Sequence, residues 1–239
     1  MREALKSAYA ALLAADQETP GVLDMISRAL DGRRGPVVDV GCGYGRYLRP
    51  LKERGIEAIG VEVNPDIVKA NRNAGLTSMT PDEFLNSSCR ARILLMSHVV
   101  EHFQPRELLE FMERWLESLE EGGELVIATP LMNPQFYDDF DHVKPYHPEG
   151  LRMVFGDLAA QVQYRSRHRL ALVEIAFRRT PWRASFVGSV YRGGPPAWPY
   201  YLANAIAALV FRLSAGLLGR KTGWIGRFRK IPASSPPGT

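Results

Sequence analysis

PVVDVGCGYGRYLRPL, residues Pro36–Leu51, decides the fold. Val37 to Val40 is a short apolar run of strand length. It empties into Gly41-Cys42-Gly43-Tyr44-Gly45, and an amphipathic segment follows to about Arg54. Strand, glycine-rich turn and helix together bring backbone N–H groups against a ligand. The spacing is G-x-G-x-G, close to but different from the dinucleotide fingerprint G-x-G-x-x-G. No Gly-Lys-Ser/Thr ending follows, so tight phosphate cradling is not expected. Asp39, just ahead of the glycines, is placed to fix the turn or reach a polar ligand.

A second apolar run, Ile56 to Val61, ends at Glu62, about twenty residues beyond the glycines. An acid at the end of the second strand of such a unit takes ribose hydroxyls. The two runs together describe a nucleoside pocket with little demand for phosphate.

With these residues in hand, the chain resembles the class I S-adenosylmethionine-dependent methyltransferases. VVDVGCGYG, VEVNP, SHVVEHF from Ser97 and LEEGGELVIATP up to Pro130 match motifs of that family in order. The resemblance covers Pro36 to Pro130 well and extends more loosely to about Thr180. It implies an α/β, Rossmann-like fold, a seven-stranded mixed sheet of order 3-2-1-4-5-7-6 with flanking helices. It also implies S-adenosyl-L-methionine as cofactor, held by Asp39, Gly41, Cys42, Gly43, Tyr44, Gly45, Glu62, Val63, Ser97 and His98. An acid near the adenine amino group is a further family feature. Asp82 is the first choice and Glu83 the second, although either could be an ordinary first-turn acid favoured by the helix dipole.

Taken in order, Met1 to about Ala15 reads as a helix. A second helix begins at Thr19-Pro20, with Thr19 as its cap and Leu23, Ile26 and Leu30 as its apolar stripe. Residues 1–33 form an N-terminal helical cap, placed over the ligand or simply packed on the sheet. Asn64-Pro65-Asp66 opens the next helix, Ser78 to Thr80 is a weak third strand, and Ile93 to Met96 is the fourth. Pro105 to Glu120 is a helix, its Leu108, Leu109, Met112, Trp115, Leu116 and Leu119 recurring at helical spacing. Gly122-Gly123 stops it, and Leu125 to Ala128 is the fifth strand. Glu149 to Ala160 is a short helix. Gln161–Arg165 and Leu170–Phe177 are the expected last strand pair, closing a cofactor domain at 34–180.

Thr129 to Pro148 is the stretch most informative about the acceptor. It leaves the end of a strand and is rich in proline and aromatics. Phe136, Asp139, His142, Val143 and Tyr146 match the pattern F-x-x-D-x-x-H-V-x-x-Y, which resembles a loop of family members associated with sugar polymers and their lipid carriers. Phe136, Tyr137, Asp141, Tyr146 and His147 are the expected acceptor-binding residues. The alternative is a loop that closes over the cofactor through Asp–His hydrogen bonds. Methyl transfer to a hydroxyl needs alignment and removal of a proton. His98 and His142 are the candidate bases, with Asp139 to orient. His98, Glu101, His102 and the Asp138–His142 run could instead coordinate a divalent ion; the expectation is no resident metal.

Beyond Thr180 the resemblance ends. Residues 181–231 form a C-terminal apolar and basic helical extension, in which Tyr200 to Gly219 is nearly continuous apolar sequence broken by Arg212. Trp198 and Tyr200 precede it, and Arg220, Lys221, Trp224, Arg227, Arg229 and Lys230 follow. A helix lying in a membrane face suits this better than a span, since a charge mid-way is costly. Attachment through 198–230, packing against another domain or a second copy as a homodimer, and a true span all stay open. Residues 232–239 read as a disordered tail.

The formal charge of +4 hides a split. Residues 1–150 carry a net −8 and residues 151–239 a net +12. A basic part of this kind suits anionic lipid, anionic glycan or nucleic acid, or attracts the acidic half. The two cysteines, Cys42 and Cys89, form no disulfide framework, and the first residues do not read as a secretory signal. A cytoplasmic protein, peripheral on the inner face of a membrane, is the expectation. The favoured reading is O-methylation of a glycan, lipid-linked or lipophilic small-molecule acceptor. A nucleic-acid methyltransferase is a weaker alternative, because no aromatic stacking platform or N-P-P-Y segment accompanies the arginines. A non-catalytic scaffold would have no need of Asp39, the glycines and Glu62.

Overall fold

The structure is a computed structural model, and it describes residues 17–133, 136–156, 158, 160–184 and 198–232. In chain order the elements are α1 (Glu18–Leu30), β1 (Val37–Val40), α2 (Leu48–Glu53), β2 (Ala58–Val61), α3 (Pro65–Asn73), β3 (Ser78–Met79) and α4 (Pro81–Leu85). They continue with β4 (Ala91–Ser97), α5 (Pro105–Ser118), β5 (Leu119–Pro130), α6 (Pro148–Phe155), β6 (Arg169–Thr180), α7 (Trp198–Leu213) and β7 (Arg220–Ile231). Helix starts follow local chemistry. Asn64 caps α3, its Oδ1 accepting from Asp66 N at 3.0 Å, and Pro65 takes the first helical position, where no N–H is needed. Thr80 and Glu83 form a reciprocal capping box around α4.

The seven strands make one mixed sheet of order β3-β2-β1-β4-β5-β7-β6, the class I methyltransferase arrangement. β1 to β5 run parallel, and β7 lies antiparallel to β5 with Leu125 opposite Phe228. Alternation along the strands splits the core between two faces. Val38, Val40, Leu94, Met96 and Ile127 join Met112 and Trp115 of α5 on one. Val37, Ile93, Leu95 and Val126 join Val22, Met25 and Ile26 of α1 on the other. The order reverses between β1 and β4, so the crevice at the carboxyl ends of these strands is where a ligand is expected.

Several expectations need correction. α1 starts at Glu18, so Thr19 is inside the helix and not its cap; its hydroxyl accepts from Arg46 Nε at 2.9 Å. β5 begins directly after α5 and runs through Gly122-Gly123, with Gly122 in the left-handed region at φ 70°. α6 ends at Phe155, and Gln161–Arg165 is not a strand. The strand beside β5 is instead β7, drawn from the basic run expected to flank a membrane helix. The charges of its second half are matched by partners on neighbouring elements: Arg227 and Arg229 meet the buried Glu124 at 3.1 and 3.0 Å. Lys230 Nζ donates to the carbonyls of Leu116 and Leu119 and pairs with Glu121. The chain forms two compact units, one of residues 18–176 and 223–239, the other of 1–17 and 177–222. α1 and most of β7 therefore belong with the sheet, where the sequence suggested a cap and an extension. The expected helix at Met1–Ala15, the loop at Gly193–Pro196 and the tail from Ala233 lie outside the described residues.

Candidate active site

The turn after β1 is held by backbone and by acid. Gly41 N and Cys42 N both donate to Val61 O, at 2.8 and 3.1 Å. Gly41 has φ 76°, and a Cβ there would sit 2.7 Å from Val99 Cγ2. Gly43 also has positive φ, but a Cβ on it would meet nothing within 4 Å, so this part of the turn is open for a ligand to approach. Glu62 is fixed against the turn. Its Oε2 accepts from Gly43 N at 3.0 Å and its Oε1 from Asn64 N at 3.1 Å, while Asn71 Nδ2 donates to Gly43 O at 2.7 Å. Asp39 is buried beneath, and its Oδ2 has no hydrogen-bond partner among the described residues. Burial, and then the charge of Glu62, push its carboxyl up to about 7. Cys42 is a buried filler whose thiol is pushed up to about 12, chiefly by burial. Tyr44 and Val63 are exposed beside the turn.

A pocket of about 780 Å³ opens here. Gly41, Glu62 and Val63 line one end, His98, His102 and Asp141 contribute polar groups, and Phe103, Phe111 and Trp115 form an aromatic wall. Pro81 and Leu85 of α4 also line it. The two acids expected at the adenine do not. Glu83 is spent on the Thr80 N–H at 2.8 Å and on Arg72 at 2.7 Å, which hold its pKa below the usual range. Asp82 lines a separate polar cleft with Asn86 and Ser88.

His98 sits at the end of β4 with φ 56°, in the left-handed region unusual for a residue with a Cβ. Its Nδ1 is 3.0 Å from Glu101 Oε1, and its Nε2 is 2.9 and 3.1 Å from the carboxylate oxygens of Glu18. Both carboxylates are buried. Burial lowers the imidazole pKa, but the hydrogen bonds to Glu101 and then Glu18 outweigh it and raise it to about 9. The network extends further: Glu18 also meets Arg46 at 3.1 Å and Tyr47 Oη at 3.3 Å, Tyr47 Oη lies 3.1 Å from Ser97 Oγ, and Thr129 Oγ1 donates to Glu101 Oε2 at 3.0 Å. Sequence reasoning missed Glu18, Tyr47 and Thr129. They come from three separate elements, and no local spacing joins them. Only Glu101, one turn beyond His98, was within reach of a pattern.

The loop after β5 divides into pocket residues and supports. Asp141 alone of the expected acceptor residues lines the large pocket. Phe136 is buried against His142, with ring centroids 4.7 Å apart, and Tyr137 stacks edge-on to Phe136 but is exposed. Tyr146 Oη donates to Phe103 O at 3.0 Å, and His147 caps α6 through Glu149 N. His142 Nδ1 is 2.7 Å from Phe136 O and must carry the proton there; its Nε2 is 3.7 Å from Asp139. His102 is the histidine of this cluster that faces the pocket. Its Nδ1 is 3.0 Å from Asp141 O, which assigns a proton to Nδ1. Glu101, His102 and His142 also bring ligand atoms within 4.8 Å of one another, a grouping of metal-binding chemistry. Both Glu101 oxygens there already accept hydrogen bonds.

The residues present fit S-adenosylmethionine on three counts. Asp39 offers a buried unpaired oxygen, Gly43 leaves an open cradle, and Glu62 is fixed by the N–H of that same glycine. Comparisons with known proteins agree. Over 121 residues the chain is 30% identical to a lysine N-methyltransferase of Mus musculus named for its action on ATP synthase, covering 49% of this chain and 48% of that one. Over 118 residues it is 30% identical to the trans-aconitate 2-methyltransferase of Mycobacterium marinum, covering 48% and 44%. The chain thus spans about half the length of the curated relatives it matches. A SAM-dependent methyltransferase structure from Archaeoglobus fulgidus shares the fold, with TM-score 0.51 and 22% identity over 87% of this chain and 94% of that one. The family model described as a methyltransferase domain, Methyltransf_23, matches residues 5–175. The chain belongs to this family of methyltransferase domains and has the class I S-adenosylmethionine-dependent fold.

Proposed function

We propose that this protein transfers a methyl group from S-adenosylmethionine to a hydroxyl of a glycan, lipid-linked or otherwise lipophilic acceptor. The observation that carries the reading is one continuous pocket. It joins the carboxylate pinned to the glycine turn, Glu62, to an aromatic wall and a half-buried histidine. Gly41 to Gly45, Asp39 and Glu62 would hold the donor. When bound, it supplies a methyl group already activated by sulfonium charge. The chain's task is then alignment and proton removal. Phe103, Phe111 and Trp115 give a lipophilic acceptor a surface to bury and exclude water from it. His102 Nε2 takes the hydroxyl proton. His98 is unsuited to that step, because two buried carboxylates keep it an imidazolium at neutral pH. It clamps Glu18 and Glu101 instead. The curated relatives are named for a lysine and for trans-aconitate, so shared descent leaves the acceptor to be read from this pocket.

Calorimetry with the donor and its demethylated product tests the first half. The wild-type chain should bind both saturably, and Glu62→Gln should weaken each by about tenfold to a hundredfold, the worth of a charge-assisted hydrogen bond. No saturable binding by the wild type would end the enzyme reading. Transfer of labelled methyl into fractionated lipid, glycan, RNA and protein extracts tests the second half. Label confined to RNA or protein would replace the acceptor proposed here.

A further inference from the structure

α7 presents one uncovered apolar face. Leu202, Ile206, Leu209, Val210 and Leu213 follow i, i+4, i+7, i+8 and i+11, which places all five on one side of a helix. Each is exposed, from 41% at Val210 to 80% at Leu213. The opposite side is the packed one. Ala208 and Phe211 are buried, and Phe211 lies so close to Gly219 that a Cβ there would come within 2.5 Å of its ring. The chain turns through Ala215 and Gly216, both at positive φ, and the exposed Leu217 and Leu218 prolong the apolar surface. Trp182 is exposed in the same unit.

Charge identifies the occupant. Residues 177–222 contain seven Lys/Arg and no Asp/Glu. Arg183 and Lys221 are exposed among them. A second copy docked face to face would bring two such cationic segments together, like charge against like. A span fails on length: sixteen residues at 1.5 Å each make about 24 Å, short of the roughly 30 Å hydrocarbon core. Among the described residues no helix is long and apolar enough to cross a membrane. An aliphatic face in a segment of purely positive charge suits an anionic bilayer, with the helix lying in its plane. We propose that α7 docks this protein on the surface of an anionic lipid bilayer, with Leu202, Ile206, Leu209, Val210 and Leu213 buried among the acyl chains.

The test uses the whole chain, because deleting residues 198–230 would also remove β7 from the sheet. Co-sedimentation is measured with phosphatidylcholine vesicles and with vesicles carrying about one-fifth phosphatidylglycerol. Wild type should partition onto the anionic vesicles and stay in solution with phosphatidylcholine alone. Ile206→Asp/Leu213→Asp should lower the partition coefficient at least about tenfold, and Arg183→Glu/Lys221→Glu by a similar factor. All four positions are exposed, so thermal unfolding and donor binding should match wild type in both variants, which separates lost docking from lost fold. Wild type that ignores anionic vesicles overturns the proposal. So does binding that the aspartates leave unchanged. Light scattering that shows a wild-type dimer, made monomeric by the aspartates, assigns the face to self-association and overturns it equally.

Discussion

At the scale of single residues, the two histidines of SHVVEHF divide the work by their partners. His102 has its Nδ1 tied to the Asp141 carbonyl, and its Nε2 is the base of the proposed reaction. His102→Ala should lower kcat by about a hundredfold or more while leaving the donor dissociation constant unchanged. Equal losses in both would make it a binding residue. His98 faces the carboxylates of Glu18 and Glu101, with Arg46 on the far side of Glu18. Its folded pKa of about 9 stands above the ordinary 6.5. Below 6.5 the imidazolium exists folded and unfolded alike, and its stabilisation is fully present; as pH rises through 9 the proton leaves and the stabilisation is lost. His98→Gln should therefore unfold more easily than wild type at pH about 6 and match it near pH 10. The gap is about 1–2 kcal/mol, allowing for solvent screening of a partly exposed ring. Parallel stability curves across that range would refute the clamp.

At the scale of elements, β7 carries the most consequential charges. Glu124 is buried and meets two arginines of that strand. Glu124→Ala would leave Arg227 largely buried with Glu174, at 3.2 Å, as its one remaining acid among the described residues. The variant should lose about 3 kcal/mol in urea unfolding, whereas Glu121→Ala, at an exposed carboxylate, should lose under about 1 kcal/mol. This strand is also where the sequence misled. β1, β2 and β4 were legible because parallel strands buried on both faces read as plain apolar runs bounded by turn signals. In Arg227-Phe228-Arg229-Lys230 each charge is matched by a partner about a hundred residues away, at Glu124 or at the end of α5. A basic run with distant acids looks the same in sequence as a basic run facing solvent. Gln161–Arg165 erred the other way: its composition is strand-like, but the place expected for it in the sheet is taken by β7 and β6, and it stays irregular.

At the scale of the molecule, the same logic explains what could be read of the site. Gly41 to Gly45 and Glu62 were legible because they lie on one supersecondary unit, whose spacing is local. Glu18, Tyr47 and Thr129 were not, because the sheet alone brings them to His98. The charge split, by contrast, is legible and now has a structural distribution. Arg152, Arg167, Arg227 and Arg229 of the basic part pair with acids within the larger unit, while residues 177–222 hold seven Lys/Arg and no Asp/Glu. The donor pocket belongs to the acidic part, where residues 1–150 carry a net −8 and Asp39 and Glu62 stand together. S-adenosylmethionine is a cation and its demethylated product is not, so the field of this part acts on one and hardly on the other. Raising NaCl from about 50 to about 500 mM shortens the screening length from roughly 14 to roughly 4 Å. In calorimetry, donor affinity should fall about threefold or more over that range, while product affinity changes by less than about twofold. The enzyme would then discharge product most readily relative to donor at low salt. Equal salt dependence of the two ligands would show that local hydrogen bonds, not charge, select the donor.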